Sequence, residues 1–320
     1  MATGTAERST SRGSNGKRTA AGTAAKEPQR RGPRFSFEGR MLSPALIVLA
    51  ALSLFPFVYI IIMSFSRVGL IGGISFHWAG LDNWTRLFSD SAVGASWLRS
   101  ILYFVLTVGL EMILGIAIAL CVHEMVWGKN IALSLILMPM FMAPVIVGLL
   151  GRFLTDSTYG LYAWVLNETG LYTGDILGST KAAFAAVTLM DVWQWTPLIA
   201  LIVLAGLASM PGQVLEAAKV DGATYWQRLR HIVLPMISGV IVVALLIRSM
   251  DAIRYFDIIQ NTTNGGPADA TKIVPIRLYD TAFRFFDLGY AAAIGLSMLA
   301  VSILVANLFL KTLHKRGLAK

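Results

Sequence analysis

The chain reads as an all-α, polytopic membrane protein with six transmembrane helices. Three observations predict this. Of 320 residues, 56 % are hydrophobic and only 14 % are charged, with a mean hydropathy of +0.65; soluble domains sit at about 45–50 % apolar and about 25 % charged. Six apolar runs each approach the ~20 residues needed to cross ~30 Å of hydrocarbon. None alternates with the period of a strand, and a backbone in lipid must satisfy its own hydrogen bonds.

Residues 1–40 hold nine of the 27 Lys and Arg residues and no large apolar residue beyond Met1 before Phe35. Such a segment cannot bury enough surface to fold alone. It has too long a basic part, and no short apolar core before a cleavage site, to be a signal peptide. A disordered cytoplasmic tail near anionic headgroups is expected, and nucleic-acid binding is not. Residues 41–320 then form the six-span domain.

The runs fall at 42–65, 100–122, 131–153, 182–208, 234–256 and 288–310. The fourth carries Asp191, and the fifth carries Arg248, Asp251 and Arg254, so hydropathy marks these two less sharply. With the tail inside, inner segments carry 17 basic residues and outer ones 8. Both termini are therefore expected in the cytoplasm, an orientation that leans on the tail. The outer loops, near 66–99, 154–181 and 257–287, are too short for separate domains and read as caps. Gly265-Gly266-Pro267 marks a turn. Cys121, the single cysteine, lies in an apolar run and reads as a small packed hydrophobe.

Residues 209–235 interrupt the apolar sequence on the inner side. Pro211 suits the first turn of a helix, and Val214, Leu215, Ala218 and Val220 recur at roughly helical spacing. Asp221-Gly222 is a turn signal, since glycine accepts φ > 0 without steric cost. A second helix follows with Tyr225, Trp226, Leu229 and Ile232 as its apolar side, and Leu234-Pro235 ends or kinks it. An amphipathic hairpin between spans either packs on its own bundle or docks into a partner's groove.

Glu216-Ala217-Ala218, Asp221-Gly222-Ala223, Ile232 and Leu234-Pro235 together resemble the cytoplasmic "EAA" coupling loop of permease subunits in bacterial ABC importers fed by a binding protein. The resemblance extends from about residue 42 to 311. Leu81-Asp-Asn-Trp84, Asp251 to Asp257, Thr263 to Pro267 and Gly289-Tyr-Ala-Ala292 are similar to the carbohydrate branch, and most to the maltose and glycerol-3-phosphate type of first permease. The large outer domain of the maltose protein is absent. The resemblance implies a type I ABC importer transmembrane domain in the cell membrane. It implies a second permease, two ATPase subunits that bind ATP and Mg, and an extracytoplasmic solute-binding protein. Glu216, Ala217, Ala218, Asp221, Gly222, Ala223, Ile232 and Pro235 would contact the ATPase. The solute would be a sugar, with a polyol or glycerol phosphate as alternatives.

No catalytic constellation stands in the sequence, and no cofactor is expected in this chain. The four histidines, His77, His123, His231 and His314, each stand alone, without the set of spaced Cys, Asp or Glu partners that a metal needs, so no metal site is expected. The nearest approach to a nucleotide-binding loop, Gly174-Asp-Ile-Leu-Gly-Ser-Thr-Lys181, has the wrong order and spacing. ATP hydrolysis is therefore assigned to other chains.

The intramembrane polar groups remain. Glu111 lies ~16 Å into its span at 1.5 Å per residue and can bridge to a neighbouring helix. Asp191 is similarly deep, and Trp193, Gln194 and Trp195 follow it. Aromatic faces and amides suit hydroxylated rings, so these three, with Asp251 and Tyr255, are candidates for the solute path. Arg248, Asp251 and Arg254 stand three apart and are expected to pair along one helix near its outer end. A proton- or ion-coupled secondary transporter is the rival reading and would use Glu111 or Asp191 as carrier. It would also show inverted repeats, which the sequence lacks.

Overall fold

The computed structural model describes residues 37–70 and 72–315; the basic segment up to residue 36 lies outside them. Two units divide at Ser53 and Leu54, and the described part of the first is helical throughout. Helix α1 (Phe37–Ser64) begins four residues inside the stretch expected to be tail. A short antiparallel hairpin follows, β1 (Ser66–Gly69) with β2 (Ser75–Trp78), which the sequence reading did not foresee. Its turn holds Gly72 and Gly73 at φ +80° and +121°, values that side chains resist.

Helix α2 (Asp82–Ser89) is tied back by Asn83, whose buried amide donates to the Ser64 and Ser66 carbonyls at 3.0 Å. Helix α3 (Ser91–Glu124) starts where the Asp90 carboxylate accepts the Ala92 N–H at 2.8 Å. At 34 residues it extends well beyond the expected 100–122.

The third apolar run is not a straight span. Helix α4 (Lys129–Leu137), a 3₁₀ turn (Met138–Phe141) and α5 (Pro144–Leu154) meet at a 92° bend. The cause is local: Pro144 forbids a helical Ala143, which sits at ψ 135°. Short α6 (Leu161–Glu168) precedes α7 (Thr180–Ala208).

The inner loop folds as α8 (Gly212–Val220), α9 (Tyr225–Arg228), a π-turn (Leu229–Val233) and α10 (Leu234–Met236). Pro211 stands one residue before α8, at its N-cap. After a 63° bend comes α11 (Ser238–Ala252). Pro235 donates no N–H and crowds the preceding turn, which accounts for the break. The fifth run therefore ends at Ala252, and Tyr255 lies beyond its helix. Helices α12 (Asp257–Thr262) and α13 (Val274–Tyr279) and a π-turn (Asp280–Arg284) lead to α14 (Leu288–Lys315). Among the described residues four helices are long and apolar enough to cross a membrane, or six spans if each bent pair counts as one.

The core is built on α3 against α7. A Cβ on Gly115 would lie 2.7 Å from the Ile199 Cβ, so only glycine permits this approach. Val122, Ile199, Val203 and Leu207 bury together toward the 209–235 loop. Tyr103, Val187, Tyr255 and Ile258 do so toward the other end.

That other end is tied by charge. Asp269 meets Lys272 at 2.7 Å and Arg277 at 3.0 Å, and Asp280 meets Lys272 and Arg284, each at 3.2 Å. The turn at Gly266-Pro267, with a cis peptide, opens this segment.

Candidate functional site

Two places concentrate the polar residues that the sequence singled out. The first is the hairpin. Helix α8 ends in a Schellman motif: the Gly222 N–H donates to the Lys219 carbonyl at 3.1 Å and the Ala223 N–H to the Ala218 carbonyl at 3.0 Å. Gly222 takes φ +77° to allow it. Thr224 and Gln227 then form a capping box, with the Gln227 Oε1 accepting the Thr224 N–H at 2.7 Å. Arg228 bridges the turn by donating to the Ala223 carbonyl at 2.5 Å. The turn is thus held from both sides, and the capping box went unread although Thr224-Tyr-Trp-Gln227 spells it.

Exposure sorts the loop residues. Glu216, Ala217, Asp221, Gly222 and Pro235 are exposed, Ala223 and Ile232 are half-buried, and Ala218 is buried against its own chain. Ala217 and Ala218 therefore do not share a surface. Leu229 is buried as the apolar pattern predicted, but Trp226 is 73 % exposed and stands outside the packed side. A cavity of about 430 Å³ separates the hairpin from the ends of α3 and α7, lined in part by His123, Glu124, Met210, Lys219 and Arg228.

The second place is an ionic cluster where α3, α7 and α11 meet. Arg248 donates Nε to Glu111 Oε2 at 2.6 Å and Nη2 to Glu111 Oε1 at 2.9 Å, a two-pronged grip. Nη2 also meets Asp191 Oδ2 at 2.7 Å, and Nη1 meets Asp251 Oδ2 at 2.9 Å. The side chains of Arg248, Glu111 and Asp191 are fully buried, whereas that of Asp251 is 47 % exposed. Trp195 and Tyr255 place their rings 5.5 Å and 5.6 Å from the guanidinium carbon.

This corrects the expectation of a chain of pairs along one helix. Arg248 does bond Asp251, but its two buried partners come from other helices, 137 and 57 residues away. Arg254 is exposed, and its side-chain Nε donates to the Met250 carbonyl at 3.2 Å rather than to the Asp251 carboxylate. Glu111 does bridge to a neighbouring helix, and Arg248 is the other half of that bridge.

The aromatic and amide triplet is also divided. Gln194 is buried and donates to the Met142 carbonyl at 2.7 Å, while its Oε1 accepts the Tyr255 hydroxyl at 3.4 Å. Trp195 is half-buried beside Arg248, but Trp193 is 52 % exposed on another side of α7. Successive helical residues point about 100° apart, so neighbours in sequence do not form one surface. Among the described residues no group of three or more His, Cys, Asp or Glu is arranged to hold a metal ion.

Long apolar helices, two broken spans, a buried ionic cluster and an amphipathic hairpin define a membrane-embedded transport subunit. The chain belongs to the family described as the binding-protein-dependent transport system inner membrane component, whose model matches residues 111–317. It is thus a permease, the transmembrane subunit of an ABC importer, and the secondary-transporter reading falls.

The chain is 33 % identical over 228 residues to the trehalose/maltose transport system permease protein MalF of Thermococcus litoralis, covering 71 % of this chain and 76 % of that protein. It is 30 % identical to the sulfoquinovosyl glycerol transport system permease protein SmoG of Agrobacterium fabrum, covering 86 % and 90 %. Identity to the trehalose transport system permease protein SugA of Mycobacterium tuberculosis is 32 %, covering 85 % and 86 %. Among solved structures, a bacterial ABC transporter that imports the acidic polysaccharide alginate superposes with a TM-score of 0.76 at 22 % identity, covering 89 % and 97 %. At that identity the likeness is one of fold.

Proposed function

We propose that this permease, paired with a second permease subunit, forms the path by which a sugar moves inward. Separate ATPase subunits dock on the hairpin, and an extracytoplasmic binding protein delivers the solute. Both termini and the hairpin face the cytoplasm. The observation that carries the reading is the hairpin itself. Its turn is closed by a Schellman motif and a capping box, and it exposes Glu216, Ala217, Asp221 and Gly222 together with Val220 and Trp226. A rigid knob with an apolar and a charged side fits a groove on a partner.

The remaining assignments extend that reading. Ala217 is small on the outer side, which permits close approach, and Glu216 offers a carboxylate to a basic or hydrogen-bonding group. Ala218, Ala223 and Ile232 support the knob from its own chain, and exposed Pro235 stands with the residues offered to the ATPase. ATP and Mg are bound by the ATPase partners and supply the driving force; this chain binds neither. Displacement of the hairpin reaches α11 through the bend before Ser238, and α11 carries Arg248 and Asp251. Trp195 and Asp251 border the solute path, and Gln194 and Tyr255 back it. Relatives named for trehalose, maltose and sulfoquinovosyl glycerol support a sugar as cargo.

The test is uptake in the native cells. Deleting the chain is expected to abolish accumulation of radiolabelled trehalose or maltose, vanadate to stop it in wild-type cells, and a protonophore alone to leave it running. Undiminished uptake after deletion overturns the proposal. Cysteines at Ala92, Tyr172 and Asp269 are expected to react with an impermeant reagent from outside, and one at Gln213 not to react. Labelling at Gln213 in intact cells reverses the orientation.

A further inference from the structure

The ionic cluster has a sign. Three carboxylates, Glu111, Asp191 and Asp251, surround one guanidinium, so the group stays anionic even with one proton bound. Exposed Arg254 turns to the Met250 carbonyl rather than into the cluster. Charges this deep act over a low-dielectric path, where like sign is strongly repelled.

The buried part of the cluster is closed on itself: the Tyr103 hydroxyl and the Asp191 carboxylate, at 1 % and 0 % residue exposure, face each other, and the Trp195 indole faces the Tyr255 hydroxyl. Asp251 uses Oδ2 on Arg248 and keeps Oδ1 for a ligand. Its position runs against local electrostatics, since an acid in the last turn faces the negative end of the helix dipole. Half exposure of a carboxylate at this depth is tolerated only toward water or a polar partner.

We propose that Asp251, oriented by Arg248, is a specificity group that binds neutral, hydroxylated solutes and rejects anionic sugars. The assignment rests on the sugar-permease reading. A hydroxyl donates to Asp251 Oδ1, which Arg248 holds in place from its buried side, while the Trp195 ring covers an apolar face of the solute. A carboxylate, sulfonate or phosphate finds three acids instead. Neither fold nor family dictates this: a transporter of the same fold imports an acidic polysaccharide, and the relative SmoG is named for sulfoquinovosyl glycerol, whose sulfonate is anionic.

The test bypasses the binding protein, which has a selectivity of its own. The complex is purified from native membranes through a tag on this chain, without the binding protein, and placed in nanodiscs. Saturation-transfer NMR at millimolar solute compares trehalose with glucose and glucuronate, which share a ring and differ by one carboxylate. Transfer to trehalose and glucose but not to glucuronate is expected. In Asp251→Asn the trehalose Kd should rise about tenfold, the factor for one charge-assisted hydrogen bond, and glucuronate should begin to bind. Asp251→Glu, which keeps the charge, should still exclude glucuronate.

Glucuronate binding to the wild-type complex as well as glucose overturns the assignment, as does an unchanged trehalose Kd in Asp251→Asn. The wild-type comparison decides even where a variant does not assemble. If no sugar binds and native cells take up none, the sugar reading itself fails, an outcome distinct from indiscriminate binding.

Discussion

Gln194 on α7 donates its side-chain amide to the Met142 carbonyl at 2.7 Å, across 52 residues of sequence. Met142 stands at the bend between α4 and α5, where the helix ladder stops and leaves a carbonyl without its usual acceptor role. In hydrocarbon such a group costs several kcal/mol unless something donates to it. Gln194 therefore makes the broken third span tolerable. Its position in a polar triplet suggested solute contact, but its amide N–H is already engaged.

The first prediction follows. Gln194→Leu leaves the half-buried Met142 carbonyl unpaired, at a cost of up to about 1–3 kcal/mol. Gln194→Glu replaces the donor by an acceptor and is expected to be at least as damaging. Both should lower the unfolding temperature of the purified complex, whereas Trp193→Ala, on an exposed position of the same helix, should not. Equal melting of Gln194→Leu and wild type would show that the bond contributes nothing.

Arg248 supports a second prediction. Removing it strands three carboxylates, and breaking a buried ion pair from one side typically costs about 3–5 kcal/mol. Glu111→Gln removes one acid from an excess and keeps a hydrogen-bonding shape. Arg248→Met is therefore expected to reduce the yield of folded complex far more than Glu111→Gln. Combining the two should recover part of the loss, since each relieves the other's imbalance. Size-exclusion profiles and melting curves of the three variants measure this. Additive losses in the double variant would mean that the pair is not coupled.

How much of this was legible is clear from particular residues. The apolar runs located every long helix, because length and hydropathy are set by the bilayer. Pro139 and Pro144 already announced the break in the third run, but hydropathy ignores a missing N–H. The 66–78 hairpin was missed although Gly72-Gly73 signals a turn, since four-residue strands give too short a pattern. The partners of Arg248 could not be read, because no local rule joins positions 57 and 137 residues apart. The splitting of Trp193 from Trp195 was readable from the helical period alone. The Schellman turn at Gly222 was the most legible feature, being entirely local.

A third prediction concerns acid. The Lys272 ammonium, hydrogen-bonded to Asp269 at 2.7 Å, holds that carboxyl below the usual carboxylate range, and Arg277 adds to the effect. A depressed folded pKa contributes stability that is fully present above the ordinary value of ~3.9 and is lost as pH falls through the lower folded one. The turn around residues 264–272 should resist pepsin near pH ~4 and open below that value. Asp269→Asn should abolish the pH dependence by opening the turn throughout. Cleavage sites mapped by mass spectrometry decide this, and an identical acid profile in the variant removes Asp269 from the explanation.

The last prediction concerns the hairpin turn. Gly222 sits at φ +77° with open space around the position of a Cβ. A side chain there meets no clash, only the backbone penalty of the left-handed region, about 1–2 kcal/mol. That is enough to loosen the Schellman turn and misdirect α8 relative to α9, but too little to unfold a six-span bundle. Gly222→Asp is therefore expected to insert and assemble with its partner permease while transporting poorly. Glu216→Lys acts differently: it leaves the turn intact and reverses a charge on the exposed side. Loss of one partner from a buried charged contact can cost about 2–5 kcal/mol, so this variant should shed the ATPase subunits outright. The two are distinguished by co-purification of the ATPase and by ATP hydrolysed per sugar taken up. Gly222→Asp should retain some ATPase with a raised ratio, and Gly222→Asn, which tolerates left-handed backbone better, should lie between it and wild type. Normal uptake in both Gly222→Asp and Glu216→Lys would mean that this loop does not carry force between the ATPase and the solute path.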